Sequence, residues 1–138
     1  MDSEPCLNAY MFALGKMHNA KLRRAYDHLS PEFLQHETID IVDYGCGQGM
    51  GCICYADFLR ENGLSQRVRR VVLIEPSRLA LARAALHVSL MFPNAELRTV
   101  CKGFDDLLPE DLCSDTDTPT LHILSNVLDI GDRFYSLD

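Results

Sequence analysis

Apolar residues recur at helical spacing near the start of the chain, at Leu7, Tyr10, Met11, Leu14 and Met17 and then at Leu22, Tyr26 and Leu29. This predicts one helix interrupted near Gly15, or two. Ser30-Pro31 ends the pattern, because proline lacks an amide hydrogen and disfavours helix at the residue before it; a short helical turn over Pro31 to Gln35 fits the spacing. The periodicity then changes. Ile39 to Tyr44 is a β-branched, apolar run of the kind a strand covered on both faces needs. A helix follows from about Met50 to Glu61, with Asn62-Gly63 as its stop signal, and then a second short strand, Val71 to Glu75. Pro76-Ser77 opens the most regular helix, which carries Leu79, Ala82, Leu86 and Leu90 on one stripe and closes at Pro93-Asn94. Glu96 to Lys102 reads as a third strand, Asp105 to Leu112 as a short helix, Cys113 to Pro119 as a polar loop and Thr120 to Asn126 as a fourth strand.

Strands that alternate with helices imply parallel pairing through right-handed crossovers. The expected fold class is therefore α/β, a three-layer Rossmann-like domain with a parallel sheet. At 138 residues and 47% hydrophobic content the chain is one domain. A helical segment, residues 1–37, precedes an α/β core, residues 38–138. Ligands of such sheets bind beyond the carboxyl ends of the strands, where strand order reverses.

Charge narrows the partners. A formal net charge of -7 and a pI near 5.1 oppose the long-range attraction that nucleic acid or an anionic membrane requires. The basic clusters, Lys21, Arg23 and Arg24 and then Arg67, Arg69 and Arg70, are short and read as solvated faces. No stretch is long and apolar enough to span a bilayer. The six cysteines lack a secretory signal beside them and read as reduced thiols of a cytoplasmic protein. Cys46, Cys52 and Cys54 lack the paired spacing of a zinc site, so no metal is expected. Of the five histidines only His122 falls near the glycine-rich loop, where a buried strand predicts a satisfied core residue.

That loop carries the chemistry. Asp43-Tyr44-Gly45-Cys46-Gly47-Gln48-Gly49 sets glycine at every second position after a strand, freeing the backbone for positive φ angles and close ligand approach. The helix that follows aims its first amides into the loop. A dinucleotide fingerprint needs glycines at offsets zero, two and five; from Gly45, Gly47 or Gly49 the third place falls on Met50, Cys52 or Cys54. A nicotinamide-dependent oxidoreductase is thereby disfavoured, and the absence of Gly-Lys-Ser/Thr excludes a P-loop.

Asp-x-Gly-x-Gly-x-Gly after the first strand resembles the first motif of class I S-adenosylmethionine-dependent methyltransferases. The resemblance spans Ile39 to about Ile130. It implies that Asp43, Gly45, Cys46, Gly47, Gln48 and Gly49 hold the methionine and ribose part of S-adenosylmethionine, with Asp43 positioning the ligand amino group. It also implies that Glu75, ending the second strand, grips the ribose hydroxyls. Phe104 and Asp105, or Asp106 in place of Asp105, would cover and read the adenine. Ser125 and Asn126 would line the cofactor at the end of the fourth strand. Asn/Asp-Pro-Pro-Tyr/Phe, the mark of amide methylases, is missing from Ser125-Asn126-Val127-Leu128-Asp129, so the acceptor expected is a small molecule or another kind of protein site.

No catalytic base is assigned by spacing, and methyl transfer from an activated sulfonium can proceed by alignment. A complete fold of the family has sheet order 3-2-1-4-5-7-6, of which this chain supplies 3-2-1-4 and so reads as truncated. The fourth strand then becomes an edge expected to be covered, by pairing with a second copy, by the N-terminal helices or by the tail from Gly131 to Asp138. Two readings follow: a methyltransferase, or a non-catalytic methyltransferase-like module that serves as an interaction surface.

Overall fold

The computed structural model describes residues 21–112 and 117–124. Among them a four-stranded sheet forms from β1 (Thr38–Tyr44), β2 (Arg67–Ile74), β3 (Glu96–Val100) and β4 (Thr120–Ile123). The order is β3-β2-β1-β4, and every pairing is parallel. This is the expected Rossmann-like α/β arrangement, with strand order reversing between β1 and β4.

Helices flank the sheet: α1 (residues 21–27), α2 (Pro31–Leu34), α3 (Met50–Glu61), α4 (Arg78–Met91) and α5 (Pro109–Leu112). Side chains alternate across each strand, so the two core clusters occupy opposite faces. Ile39, Ile41, Val71, Leu73, Leu121 and Ile123 pack with α1, α3 and α4 on the first face. Val42, Val72, Ile74 and Val100 form a smaller cluster on the second, beside Tyr44, Leu107 and Leu112. α1 is fastened to α3 by Tyr26, whose ring meets Tyr55 edge-on at 5.1 Å and whose hydroxyl donates to the Gly51 carbonyl at 2.8 Å.

Local chemistry explains most boundaries. Ser30 caps α2, accepting from the Phe33 amide at 3.1 Å, and Pro31 occupies its first turn. Ser77 caps α4 in the same way through the Ala80 amide. Gly63, at φ 63°, turns the chain after α3.

Four expectations are corrected. β2 begins at Arg67 rather than Val71, because its basic residues find partners across the sheet. Arg69 grips Asp40 through both oxygens, at 3.1 and 2.7 Å, at an irregularity where the register with β1 shifts. Arg70 pairs with Glu96 at 3.2 Å, and Arg23 on α1 pairs with Glu61, so Arg23, Arg69 and Arg70 of these clusters are ion-paired rather than merely solvated. Second, the expected helix over Asp105 to Leu112 is split into a 3₁₀ turn, Phe104–Asp106, and α5, with Leu107 extended between them. Pro109 disfavours helical geometry at the residue before it. Third, β3 stops at Val100, short of Lys102, and β4 at Ile123, before Leu124, with residues 125 and 126 outside the described residues.

Fourth, the leucine stripe of α4 faces outward. Leu86 is 62% and Leu90 70% exposed, whereas Ala80, Leu81, Ala84 and Val88 are buried. α4 is apolar on nearly all sides, and the face it turns inward seats Ala84 against Gly49 of the neighbouring loop.

Among the described residues β4 is the outermost strand beside β1; the tail and the helix over Leu7 to Met17 expected to cover it lie outside the described residues. No helix among the described residues is long and apolar enough to cross a membrane.

α3 sits so near β4 that a β-carbon on Gly51 would lie 2.8 Å from Ile123 Cγ2 and 3.1 Å from Asp43 Oδ2. Gly51→Ala gains helix propensity of about 1 kcal/mol, but the clash is in a packed core, where added volume costs about 1–3 kcal/mol. The expected outcome is net destabilisation in urea unfolding; a variant at least as stable as wild type would show that α3 can move away from Ile123.

Candidate functional site

β1 delivers its last residues to the carboxyl edge of the sheet, and the chain then turns through the glycine loop into α3. Gly45, Gly47 and Gly49 have φ of 61°, 56° and 89°, a left-handed conformation that side chains disfavour. The two residues between them turn inward. Cys46 is fully buried and Gln48 is 2% exposed, so any ligand contact from these two positions is made by backbone.

The loop is tied on three sides. The Cys46 amide donates to the Ile74 carbonyl at 2.9 Å, prolonging the bond pattern of β1 and β2. Glu75, 7% exposed, accepts the Gly47 amide on Oε1 at 3.0 Å and the Ser77 amide on Oε2 at 2.8 Å. One carboxylate thus joins loop, strand end and the start of α4, while each oxygen keeps a second acceptor position. On the third side, Gln48 meets α4, with Arg83 Nη1 3.0 Å from Gln48 Oε1 and His87 Nδ1 2.7 Å from the Gln48 carbonyl.

Gly49 stands at the N-cap of α3 and supplies no side-chain cap, so the first-turn amides keep their donor capacity. Beneath them Asp43 is fully buried. Its Oδ2 accepts from the Cys52 thiol at 3.7 Å, and its Oδ1 has no hydrogen-bond partner. Burial pushes the Asp43 pKa up to about 8, opposed by the Cys52 bond and reinforced by the charge of Glu75. Burial, with Asp43 nearby, likewise raises the thiols of Cys46 and Cys52. These are protonated side chains of the core, not nucleophiles.

Aromatic residues complete the edge. Tyr44 stacks on His122 with centroids 5.8 Å apart, and its hydroxyl lies 3.1 Å from His122 Nδ1. Phe104, 54% exposed, leans over Tyr44 at 5.8 Å. Its neighbours Asp105 and Asp106 are exposed in the same turn.

The structure therefore brings Asp43, Gly45, Cys46, Gly47, Gln48, Gly49, Glu75 and Phe104 to one edge, with Asp105 and Asp106 in the turn that carries Phe104. Ser125 and Asn126 lie outside the described residues. His122 is an exposed partner of Tyr44 rather than a core histidine, because β4 turns Leu121 and Ile123 to the packed face and His122 to the other. Sequence reading also missed Arg83 and His87. Their spacing of four on one helix places them together, but nothing local tells which loop they meet.

The Asp43 shift has a testable sign. An unfolded aspartate ionises near 3.8 while the folded one holds its proton to about 8. The stability this group leaves intact at low pH is lost as pH rises through that window. Asp43→Asn cannot ionise, so its unfolding free energy should gain on wild type between pH 5 and pH 8, by up to about 1.4 kcal/mol per pH unit. Parallel pH profiles for the two proteins would mean that Asp43 is ionised throughout.

Compared with known proteins, the chain matches no protein-family model and no curated protein.

Proposed function

We propose that the glycine loop binds S-adenosylmethionine and that the chain belongs to a methyl-transferring enzyme acting on a small-molecule or protein acceptor. One observation carries this reading: three left-handed glycines open onto the uncapped start of α3, with the Glu75 carboxylate at their centre.

The residues present suit that ligand. Bare loop backbone admits a bulky group closely. Glu75 retains acceptor positions for two hydroxyls, and an exposed ring at Phe104 offers an apolar cover for a base. The unpartnered Asp43 Oδ1 is a buried polar atom below the loop, and such atoms call for a partner. The Glu75 carboxylate at the loop favours a cationic ligand over a pyrophosphate, which it would repel. S-adenosylmethionine supplies a methyl group already activated on a sulfonium; the chain's part is to bind, orient and exclude water.

A second reading has its own support. Both oxygens of Glu75 already accept backbone amides and Asp43 is sealed from solvent, as expected of a loop kept for architecture. The chain would then be a methyltransferase-like module without catalysis, serving as an interaction surface.

Calorimetric titration with S-adenosylmethionine, S-adenosylhomocysteine and NAD separates the two. The cofactor reading expects binding of both sulfur ligands, none of NAD, and at least about tenfold weaker binding by Glu75→Gln and Gly47→Val, each checked for folding by thermal melting. A folded wild-type chain that binds neither sulfur ligand would overturn the cofactor reading and favour the module.

A further inference from the structure

We infer that Arg83 and His87 of α4 are positioning residues for the glycine loop and set its affinity for the cofactor, an inference that rests on reading the loop as an S-adenosylmethionine site. Neither side chain belongs to the loop, the strand ends or the turn after β3. Both act through Gln48.

A backbone carbonyl only accepts hydrogen bonds, so at 2.7 Å from the Gln48 carbonyl His87 must donate, from Nδ1. That fixes the ring as the Nδ1-protonated tautomer or the imidazolium, and either form makes the bond. One turn back, Arg83 Nη1 donates to Gln48 Oε1 at 3.0 Å. Between them Ala84 receives the loop itself: a β-carbon on Gly49 would lie 3.3 Å from Ala84 Cα and 3.4 Å from its carbonyl oxygen. Arg83, Ala84 and His87 thus form a seat that holds Gln48 by side chain and backbone while Gly49 rests on the helix.

Such a seat matters because Gln48 lies between two left-handed glycines, and glycine-rich backbone is the most costly to order. A loop fixed beforehand spares the ligand that cost; a loose one charges it against affinity. The helix does not depend on the pair for its own place. Ala80, Leu81, Ala84 and Val88 anchor α4 in the core, so removing Arg83 or His87 loosens the loop without displacing the helix.

The test uses the full chain, S-adenosylhomocysteine as calorimetric probe, and amide hydrogen exchange of residues 45–49 without ligand. His87→Leu and Arg83→Met should each weaken binding about tenfold, the worth of one hydrogen bond in a partly buried setting. They should also speed exchange at the loop amides while α4 keeps its protection. His87→Asn, which returns an N–H donor near the place of Nδ1, should recover most of both effects. A purely structural role for His87 would not be rescued this way. Unchanged affinity and loop exchange in His87→Leu, or equal impairment in His87→Asn and His87→Leu, would overturn the inference. A wild-type chain that binds no probe overturns the cofactor reading and the affinity claim with it, and the exchange data then decide separately whether the seat holds the loop.

Discussion

Close approach of two helices to the sheet is what the carboxyl edge depends on, and residues without side-chain bulk permit it. Gly51 leaves α3 within contact of Ile123 and Asp43, and Gly49 settles against Ala84 of α4. Packed interiors leave no slack for an added methyl group at such separations. Once α3 and α4 are seated, the chain passes from Tyr44 to Met50 through three glycines with left-handed backbone. At Gly49 the loop is therefore shaped by packing against α4.

Two carboxyl groups divide the electrostatic work at this edge. Glu75 is held by two amides, so its negative charge is compensated where it is nearly buried. Asp43 has only a thiol donor and an orphaned oxygen, and burial keeps its proton on to about pH 8. A neutral acid under the start of α3 costs less than an ion there, and a cation brought beside it would reverse that preference. The cofactor reading and the architectural one thus make different use of one residue: a poised acceptor in the first, a buried neutral acid of the core in the second.

α4 has a double part in this arrangement. Its alanines let the helix come close, and Arg83 and His87 convert that closeness into hydrogen bonds on Gln48. Opposite them, Tyr44, His122 and Phe104 make an aromatic border on the face covered by the short 3₁₀ turn and α5. Loop, carboxylates, basic seat and aromatic border come from five separated stretches of chain, and only the parallel sheet aligns them.

Much of this was legible from the chain alone. A continuous β-branched run, helical spacing and stop signals located β1, α3 and α4 to within a residue or two, and alternation of strand with helix pointed to a parallel sheet, because a helix between two strands returns the chain to start the next strand in the same direction. Glycine at 45, 47 and 49 marked the loop, since no other residue takes that backbone cheaply. What tertiary structure alone decided was which face each element presents. α4 is apolar nearly all round, so its spacing suits two stripes, and tertiary packing buried Ala80, Leu81, Ala84 and Val88 rather than Leu86 and Leu90. β2 starts at Arg67 because Asp40 and Glu96 wait on neighbouring strands, and Tyr44 meets His122 across 78 residues. Local pattern encodes conformation along a segment; the partner a side chain meets depends on surfaces contributed by distant segments, which exist only once the sheet has formed.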